Sequence, residues 1–123
     1  MTTDKVYVYF KTRDKLARID TSKIVYFEAD GNFTHIRTID KRRTTICMNL
    51  SKMEDALAEQ IGEDAHVFMR IGKRFIINLQ YVYLVDAYEQ KLILSDYDHF
   101  SFEVKISKDA LKKMIELMLV AKI

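Results

Sequence analysis

The sequence contains no proline and only three glycines, Gly31, Gly62 and Gly72, far apart from one another. No stretch therefore reads as a linker or low-complexity tail, and no glycine-rich phosphate loop is present. The single cysteine, Cys47, excludes an internal disulfide, which suits a reducing cytoplasm. No apolar run approaches the roughly 20 residues of a membrane span. The opening residues MTTDKVYVYFK lack the architecture of a signal peptide. No internal repeat is visible. A cytoplasmic protein without membrane contact is expected.

What is present suits one domain covering residues 1–123. The chain is 49% hydrophobic and 31% charged, enough for a core that needs neither disulfide nor metal. The net charge of +2 is too small to imply a partner, but its distribution is informative. Arg37, Lys41, Arg42 and Arg43 stand against Asp40. Arg70, Lys73 and Arg74 stand in a segment without acid. Lys105, Lys108, Lys112 and Lys113 stand against Asp109. The intervening stretches are acidic. Two readings follow: basic segments converging into a footprint for a polyanion, or ordinary solvated charges.

Period-two alternation runs through much of the chain. Val6, Val8 and Phe10 alternate with Tyr7, Tyr9 and Lys11, which suits a strand covered on both faces. Ile24, Tyr26 and Glu28 open a second strand, and Asp30-Gly31-Asn32 is a turn leading to Phe33, His35 and Arg37. Asp40-Lys41 closes a hairpin onto 44–47. Further strands are expected at 66–71, 75–78, 81–87, 91–94 and 99–105, rich in aromatic and β-branched residues. Ser51-Lys52-Met53-Glu54 reads as a capping box that starts a helix carrying Met53, Leu57 and Ile61 on one face and stopping at Gly62. A second helix follows Ser107, with a stripe of Leu111, Met114, Ile115 and Met118. Leu117, Leu119 and Val120 make its end apolar nearly all round, which suits either a contact with another chain or a frayed tail. About nine short strands with two helices predict a mainly β single compact domain of mostly antiparallel strands. The helices are too few for a helix-turn-helix protein.

Catalytic and metal chemistry finds little support. His35, His66 and His99 are far apart and have no metal-ligand spacing. Cys47, in an expected strand, reads as a small buried hydrophobe. No paired carboxylates suggest acid–base work. No catalytic residue, metal or cofactor is assigned, and the chain reads as a non-enzyme.

Four segments together resemble the LytTR family of DNA-binding domains. KIVYFEADGNFTHIRT at 23–38 is similar to the family's opening strand and turn, and MNLSKMEDAL at 48–57 to its short helix. FMRIGKRFIINLQYVYLV at 68–85 resembles its most specific run, and ISKDALKKM at 106–114 its closing segment. The likeness covers roughly residues 6–116. It implies a compact, mostly antiparallel β domain that binds duplex DNA through loops at the sheet ends, reaching successive major grooves. The family commonly follows a receiver domain in two-component regulators. None is expected in this chain, which would be a stand-alone regulator or an excised output domain.

Carried over residue by residue, the resemblance puts a first contact loop at Asn32 to His35, with Thr34 or His35 in the base-reading position. A second falls at Gly72, Lys73 and Arg74. Many members have histidine where Gly72 stands and serine where Arg74 stands, and this chain departs at both. A third falls at Lys108, where arginine is frequent. Lysine keeps the charge there but loses the planar fork that reads guanine edges.

The residues themselves point to the same segments. Duplex DNA carries about one charge per 1.7 Å of axis, so clustered cations gain affinity by releasing counterions. Lys73 and Arg74 follow a glycine between two strands, where they either extend to a partner or form a solvated turn. Lys108 sits just after the expected cap Ser107, where a helix dipole disfavours a cation but free N–H groups attract phosphate. Asp109 offers a second way of offsetting that dipole. Lys105 and Lys112 suit backbone contacts. Lys41, Arg42 and Arg43 suit a flanking phosphate or a plain turn, and Arg37 lies in the first basic segment. Arg70 suits an ion pair with an acid, and Asn78 suits backbone groups near a turn. The expected function is sequence-specific duplex DNA binding in transcription regulation, with room for a homodimer on DNA and a receiver or sensor partner. The alternative is a β-rich protein-interaction or dimerisation module.

Overall fold

The alternating apolar pattern becomes ten strands and two helices in a computed structural model, which describes residues 5–121. Residues 1–4 and 122–123, part of the expected domain and of the opening segment read for a signal peptide, lie outside that range. The strands are β1 (Tyr7–Lys11), β2 (Leu16–Asp20), β3 (Ile24–Asp30), β4 (Phe33–Thr38), β5 (Arg43–Ile46), β6 (Phe68–Ile71), β7 (Phe75–Asn78), β8 (Val82–Asp86), β9 (Lys91–Ser95) and β10 (Ser101–Lys105). Helix α1 spans Leu50–Ile61 and helix α2 spans Lys108–Ala121. The expected mainly β architecture with two helices is therefore what forms.

A five-stranded sheet in the order β5-β4-β3-β7-β6 is the centre of the molecule, and all its pairings are antiparallel. Strand β3 is buried along most of its length because both of its faces pack. On one face Phe27, Ile36, Ile46 and Ile76 meet Met53 and Leu57 of α1 and Val8 and Phe10 of the β1-β2 hairpin. On the other, Val25, Tyr26, Phe75 and Ile77 meet Leu92, Leu94 and Val104 of the β8-β9-β10 sheet and Leu111 and Met114 of α2. Each such side chain taken fully from water stabilises the fold by roughly 1.5–3 kcal/mol. Aromatic edges reinforce both layers, with Phe10–Phe27 at 6.0 Å and Tyr26–Phe102 at 5.9 Å.

Turns fall where the backbone can make them. Gly31 at φ +59° and Gly72 at φ +61° join β3 to β4 and β6 to β7 in the left-handed region that glycine enters without a Cβ penalty. Lys41 adopts φ +68° at the tip of the β4-β5 hairpin. Asn78 is fully buried, donates from Nδ2 to the Ile24 carbonyl at 2.8 Å and accepts from Gln80 N–H at 3.0 Å. Its expected role near a turn is thus realised.

Four expectations need correction. Helix α1 starts one residue before Ser51: Asn49 Oδ1 accepts from Lys52 N–H at 2.9 Å, so asparagine is the cap and Leu50, buried, is the first helical residue. Glu54, freed from the capping box, pairs with Arg70 instead. Strand β2 has no counterpart in the sequence reading. Its alternation is short and its outer residues Leu16 and Arg18 are exposed, so it carries only a half-apolar signal. Residues 62–67 form a 3-10 turn, which shortens the strand expected at 66–71. Cys47 lies just beyond β5 and is exposed, because β5 ends at Ile46, the last residue facing the core.

The Asp96 carboxylate organises the β9-β10 turn. It accepts from the N–H groups of Asp98, His99 and Phe100 and from His99 Nδ1 at 3.0 Å. Desolvation would raise its pKa, but these donors outweigh it and hold the carboxyl well below the usual range. His99 is pushed up by its bond to Asp96 and by the Asp98 charge. A raised histidine contributes stability that is complete below its unfolded pKa and lost as pH rises through the folded value. A depressed carboxyl contributes stability present above its unfolded pKa and lost as pH falls through the folded value. Both contributions are therefore complete between about pH 4 and 6.5. NMR titration should place the His99 midpoint above the ordinary value of about 6.5, and Asp96→Asn should lower it part of the way, leaving the contribution of Asp98. In urea unfolding, Asn49→Ala should cost about 1 kcal/mol, while Ser51→Ala should change stability by less than about 0.5 kcal/mol.

Candidate nucleic-acid interface

Antiparallel pairing sends three chain segments to one end of the central sheet. Asp30 pairs with Phe33 across the Gly31-Asn32 turn, Glu28 pairs with Phe75, and Ile71 pairs with Phe75 across the 72–74 turn. The Ala29 N–H donates to the Arg74 carbonyl at 2.8 Å, which joins the two turns. The start of α2 reaches the same place, since Gly72, Lys73 and Arg74 line a groove of about 310 Å3 with Lys105, Ser107 and Ala110. A Cβ at Gly72 would stand 3.9 Å from the Ala110 Cβ, so turn and helix are in near contact.

Lys73, Arg74 and Lys105 line this groove, while Lys108 and Lys112 lie on α2 outside its lining. Lys73, Lys105, Lys108 and Lys112 are exposed, and Lys112 follows Lys108 by one helical turn on the same face of α2. Ser107 Oγ accepts from Ala110 N–H at 3.3 Å and caps the helix that begins at Lys108. Arg74 reaches Glu28 at 3.1 Å yet keeps 64% of its side chain exposed, and its guanidinium lies 5.7 Å from the Phe75 ring centre. Arg70 holds the turn from beneath: Nη1 meets Glu54 at 2.7 Å and Nη2 donates to the Lys73 carbonyl at 3.2 Å. Its Nε is buried without a partner, as its other two nitrogens take the available acceptors. The ion pair anticipated for Arg70 is present.

The first predicted loop is built differently from expectation. Asn32 is exposed in the turn, but Thr34 and His35 are inside β4. Thr34 is fully buried and donates to the Met48 carbonyl at 2.7 Å, so it ties β4 to the segment entering α1 and faces no duplex. His35 is 7% exposed and lies between Thr45 (Nδ1···Oγ1, 2.8 Å) and Asp30 (Nε2···Oδ2, 2.8 Å). Arg43 Nη2 also stands 2.8 Å from Nε2. The hydrogen bond to His35 keeps the Asp30 carboxyl below its ordinary range. Placing these two residues in a loop treats the turn as four residues long, whereas Gly31 allows it to close in two. Phe33, which the sequence reading did not single out, is 46% exposed beside Asn32. Its signal was a large aromatic directly after a turn.

The remaining candidates stand apart. Lys41 and Arg42 occupy the opposite end of the central sheet, since the Ile39 N–H bonds to the Lys23 carbonyl where β3 begins. The six residues of β4 put the two ends roughly 20 Å apart. Arg37 is half-buried, with its guanidinium 5.4 Å from the Phe102 ring centre and Nη1 bonded to the Lys41 carbonyl. Arg43 is spent on His35. The basic segment 37–43 therefore does not join the groove, because hairpin direction, not sequence clustering, decides where its charges go.

Two further absences hold among the described residues. No group of His, Cys, Asp and Glu is placed to hold a metal ion. No helix is long and apolar enough to cross a membrane.

Comparison with known proteins adds to the geometry. A family described as the LytTr DNA-binding domain matches residues 14–119. A solved structure from Bacillus cereus, described as the LytTr DNA-binding domain of a methyl-accepting/DNA response regulator, superposes with a TM-score of 0.60 at 20% identity. The match covers 94% of this chain and 98% of that one, and at that identity it speaks for a shared fold. No curated protein matches significantly.

Gly72→Ala tests how the groove is built. Its neighbour is at ordinary contact distance, so the cost is backbone strain alone, about 1–2 kcal/mol. Gly72→Asn should cost less, since asparagine enters the left-handed region more readily. Equilibrium unfolding of both variants measures the difference.

Proposed function

This chain belongs to the LytTr DNA-binding domain family, and on that footing we propose that it binds duplex DNA sequence-specifically as the output module of a transcription regulator. The observation that carries this reading is the meeting of the 72–74 turn, the Gly31-Asn32 turn and the start of α2 at one end of the sheet. Exposed Lys73, Arg74, Lys105, Lys108 and Lys112 on separate segments suit a backbone that carries charge at regular intervals. Asn32, at the turn tip, has both a donor and an acceptor for a base edge. Lys108, beside free N–H groups of a capped helix, suits a phosphate. Residues 1–123 act in this reading as one DNA-binding unit with no enzymatic step, working on chromosomal DNA in the cytoplasm.

A homodimer on DNA and control by a receiver or sensor partner accompany this reading. A second reading, self-association without DNA, is favoured by Leu117, Leu119 and Val120, which are 45%, 64% and 86% exposed near the end of α2.

Fluorescence anisotropy against duplexes selected from random sequence should yield a preferred site whose affinity falls steeply with salt. Lys73→Ala and Lys108→Ala should each lower the slope of log K against log salt by about 0.9 and leave the melting temperature unchanged. Lys41→Ala, at the far end, should change the slope much less. No preferred duplex at low salt would remove the proposal, and sedimentation showing a Leu119-dependent dimer would then favour the second reading.

A further inference from the structure

The β1-β2 hairpin has two edges, and the fold treats them differently. The edge of β1 is closed by a side chain: Gln60 of α1 accepts from the Tyr9 N–H at 2.8 Å and donates to the Tyr9 carbonyl at 2.7 Å. Since Tyr9 turns both backbone groups away from β2, its partner Arg18 must turn its own groups away from β1. By the same alternation, Leu16 and Asp20 present theirs on that outer side. The bond from the Thr12 N–H to the Lys15 carbonyl and that from the Thr21 N–H to the Val6 carbonyl fit this register. Among the described residues, strand β2 borders no second strand on that side.

Strand β5 is likewise an edge of the central sheet. The Thr38 N–H bond to the Arg42 carbonyl sets its alternation, so Arg43 and Thr45 point their backbone groups away from β4. The two open edges face a common groove of about 560 Å3, lined by Leu16, Arg18, Asp20, Thr38, Arg42 and Thr44 among others. Lys15 Nζ reaches across to the Thr45 carbonyl at 2.9 Å. One lysine side chain thus spans the gap between two strands.

We propose that this groove takes an extended acidic peptide, which pairs as an added strand with the outer edge of β2 or β5. Charge supports an acidic occupant. Lys15, Arg18, Lys23 and Arg42 line the groove against Asp20 and Asp40. Asp20 is engaged with the N–H and hydroxyl of Ser22, and Asp40 with Thr38, the Arg42 N–H and the Arg42 guanidinium at 3.5 Å, so that Lys15, Arg18 and Lys23 are the groove cations without a carboxylate partner among the described residues. Backbone pairing would supply affinity, while the outward cations and the 58% exposed Leu16 would select side chains. Charged residues also blunt edges against aggregation, but β1 shows that this fold can close an edge outright. The site lies toward the end of the sheet that holds Lys41, away from the 72–74 turn, and does not depend on the DNA-binding reading.

The probe is a six-residue peptide of alternating glutamate and valine, titrated into the full chain and followed by amide NMR. Shifts and slowed exchange confined to Leu16, Arg18, Asp20, Arg43 and Thr45 are expected. An N-methylated form of the peptide should bind about tenfold more weakly through lost backbone bonds, as should Lys15→Glu/Arg42→Glu. The lysine-valine peptide should bind weakly or not at all. Changes at the 72–74 turn instead, equal binding of the N-methylated peptide, or no response would overturn the proposal. Concentration-dependent shifts at β2 without peptide would also overturn it, by making a second copy the occupant. Melting curves of the double variant show whether it is folded. If it is not, the N-methylated peptide decides alone.

Discussion

The structure depends on one strand. β3 is paired on both sides and packed on both faces, so its position sets that of nearly everything else. Its register with β4 puts the Gly31-Asn32 turn at one end of the sheet, and its register with β7 brings the 72–74 turn alongside. A slip of one residue in either pairing would exchange Phe27 for Tyr26 or Glu28 on the α1 face, so the two cores lock the alignment. This end of the sheet is held by paired strands, and its two turns are short: two residues in one case and three in the other.

Electrostatics at this end is a balance. Glu28 and Asp30 place two carboxylates on the strand that supports the turns. Glu28 is met by Arg74 and Asp30 by His35, while Glu54 beneath is met by Arg70. Two of these acids are matched by an arginine and the third, Asp30, by an imidazole. Lys73, Lys105, Lys108 and Lys112 make no ion pair within the 4 Å limit of a salt bridge among the described residues, and so they provide the surplus that a polyanion would meet. The net charge of +2 understates that surplus, since the acidic residues are concentrated elsewhere.

Strands with a clean two-residue period and helices with a clear stripe were legible from residues alone. Turns were legible where an unusual backbone angle demands glycine. The site was legible in part. Of the residues lining the candidate groove, Lys73 and Arg74 were legible from their place beside a turn and Lys105 from its place before a helix. The positions of Thr34 and His35 were not, because sequence cannot show that a hairpin closes in two residues and puts position 34 in the core. Lys41, Arg42 and Arg43 were grouped with the others by charge, but hairpin direction sends Lys41 and Arg42 to the far end, and Arg43 turns onto His35. Strand β2 escaped because an edge strand buries only one face, and Asn49 was passed over because Ser51 also satisfies the sequence rule for a cap.

The two ends of the molecule are joined by a continuous chain of polar contacts. Lys15 holds the Thr45 carbonyl on the groove side, Thr45 Oγ1 contacts His35 Nδ1, and His35 Nε2 contacts Asp30 at the start of the Gly31-Asn32 turn. Contiguity alone does not transmit anything, since coupling needs an element with two arrangements. His35 supplies one. Its Nε2 stands 2.8 Å from the Asp30 carboxylate and 2.8 Å from an Arg43 nitrogen, an acceptor and a donor. With a proton on Nε2 the ring donates to Asp30 and cannot accept from Arg43, and without it the reverse holds. Nδ1 then changes its role toward Thr45, a hydroxyl that can both donate and accept. On the same face of β3, Tyr26 packs its ring against Phe75 and Phe102, so this polar cluster borders the second core directly.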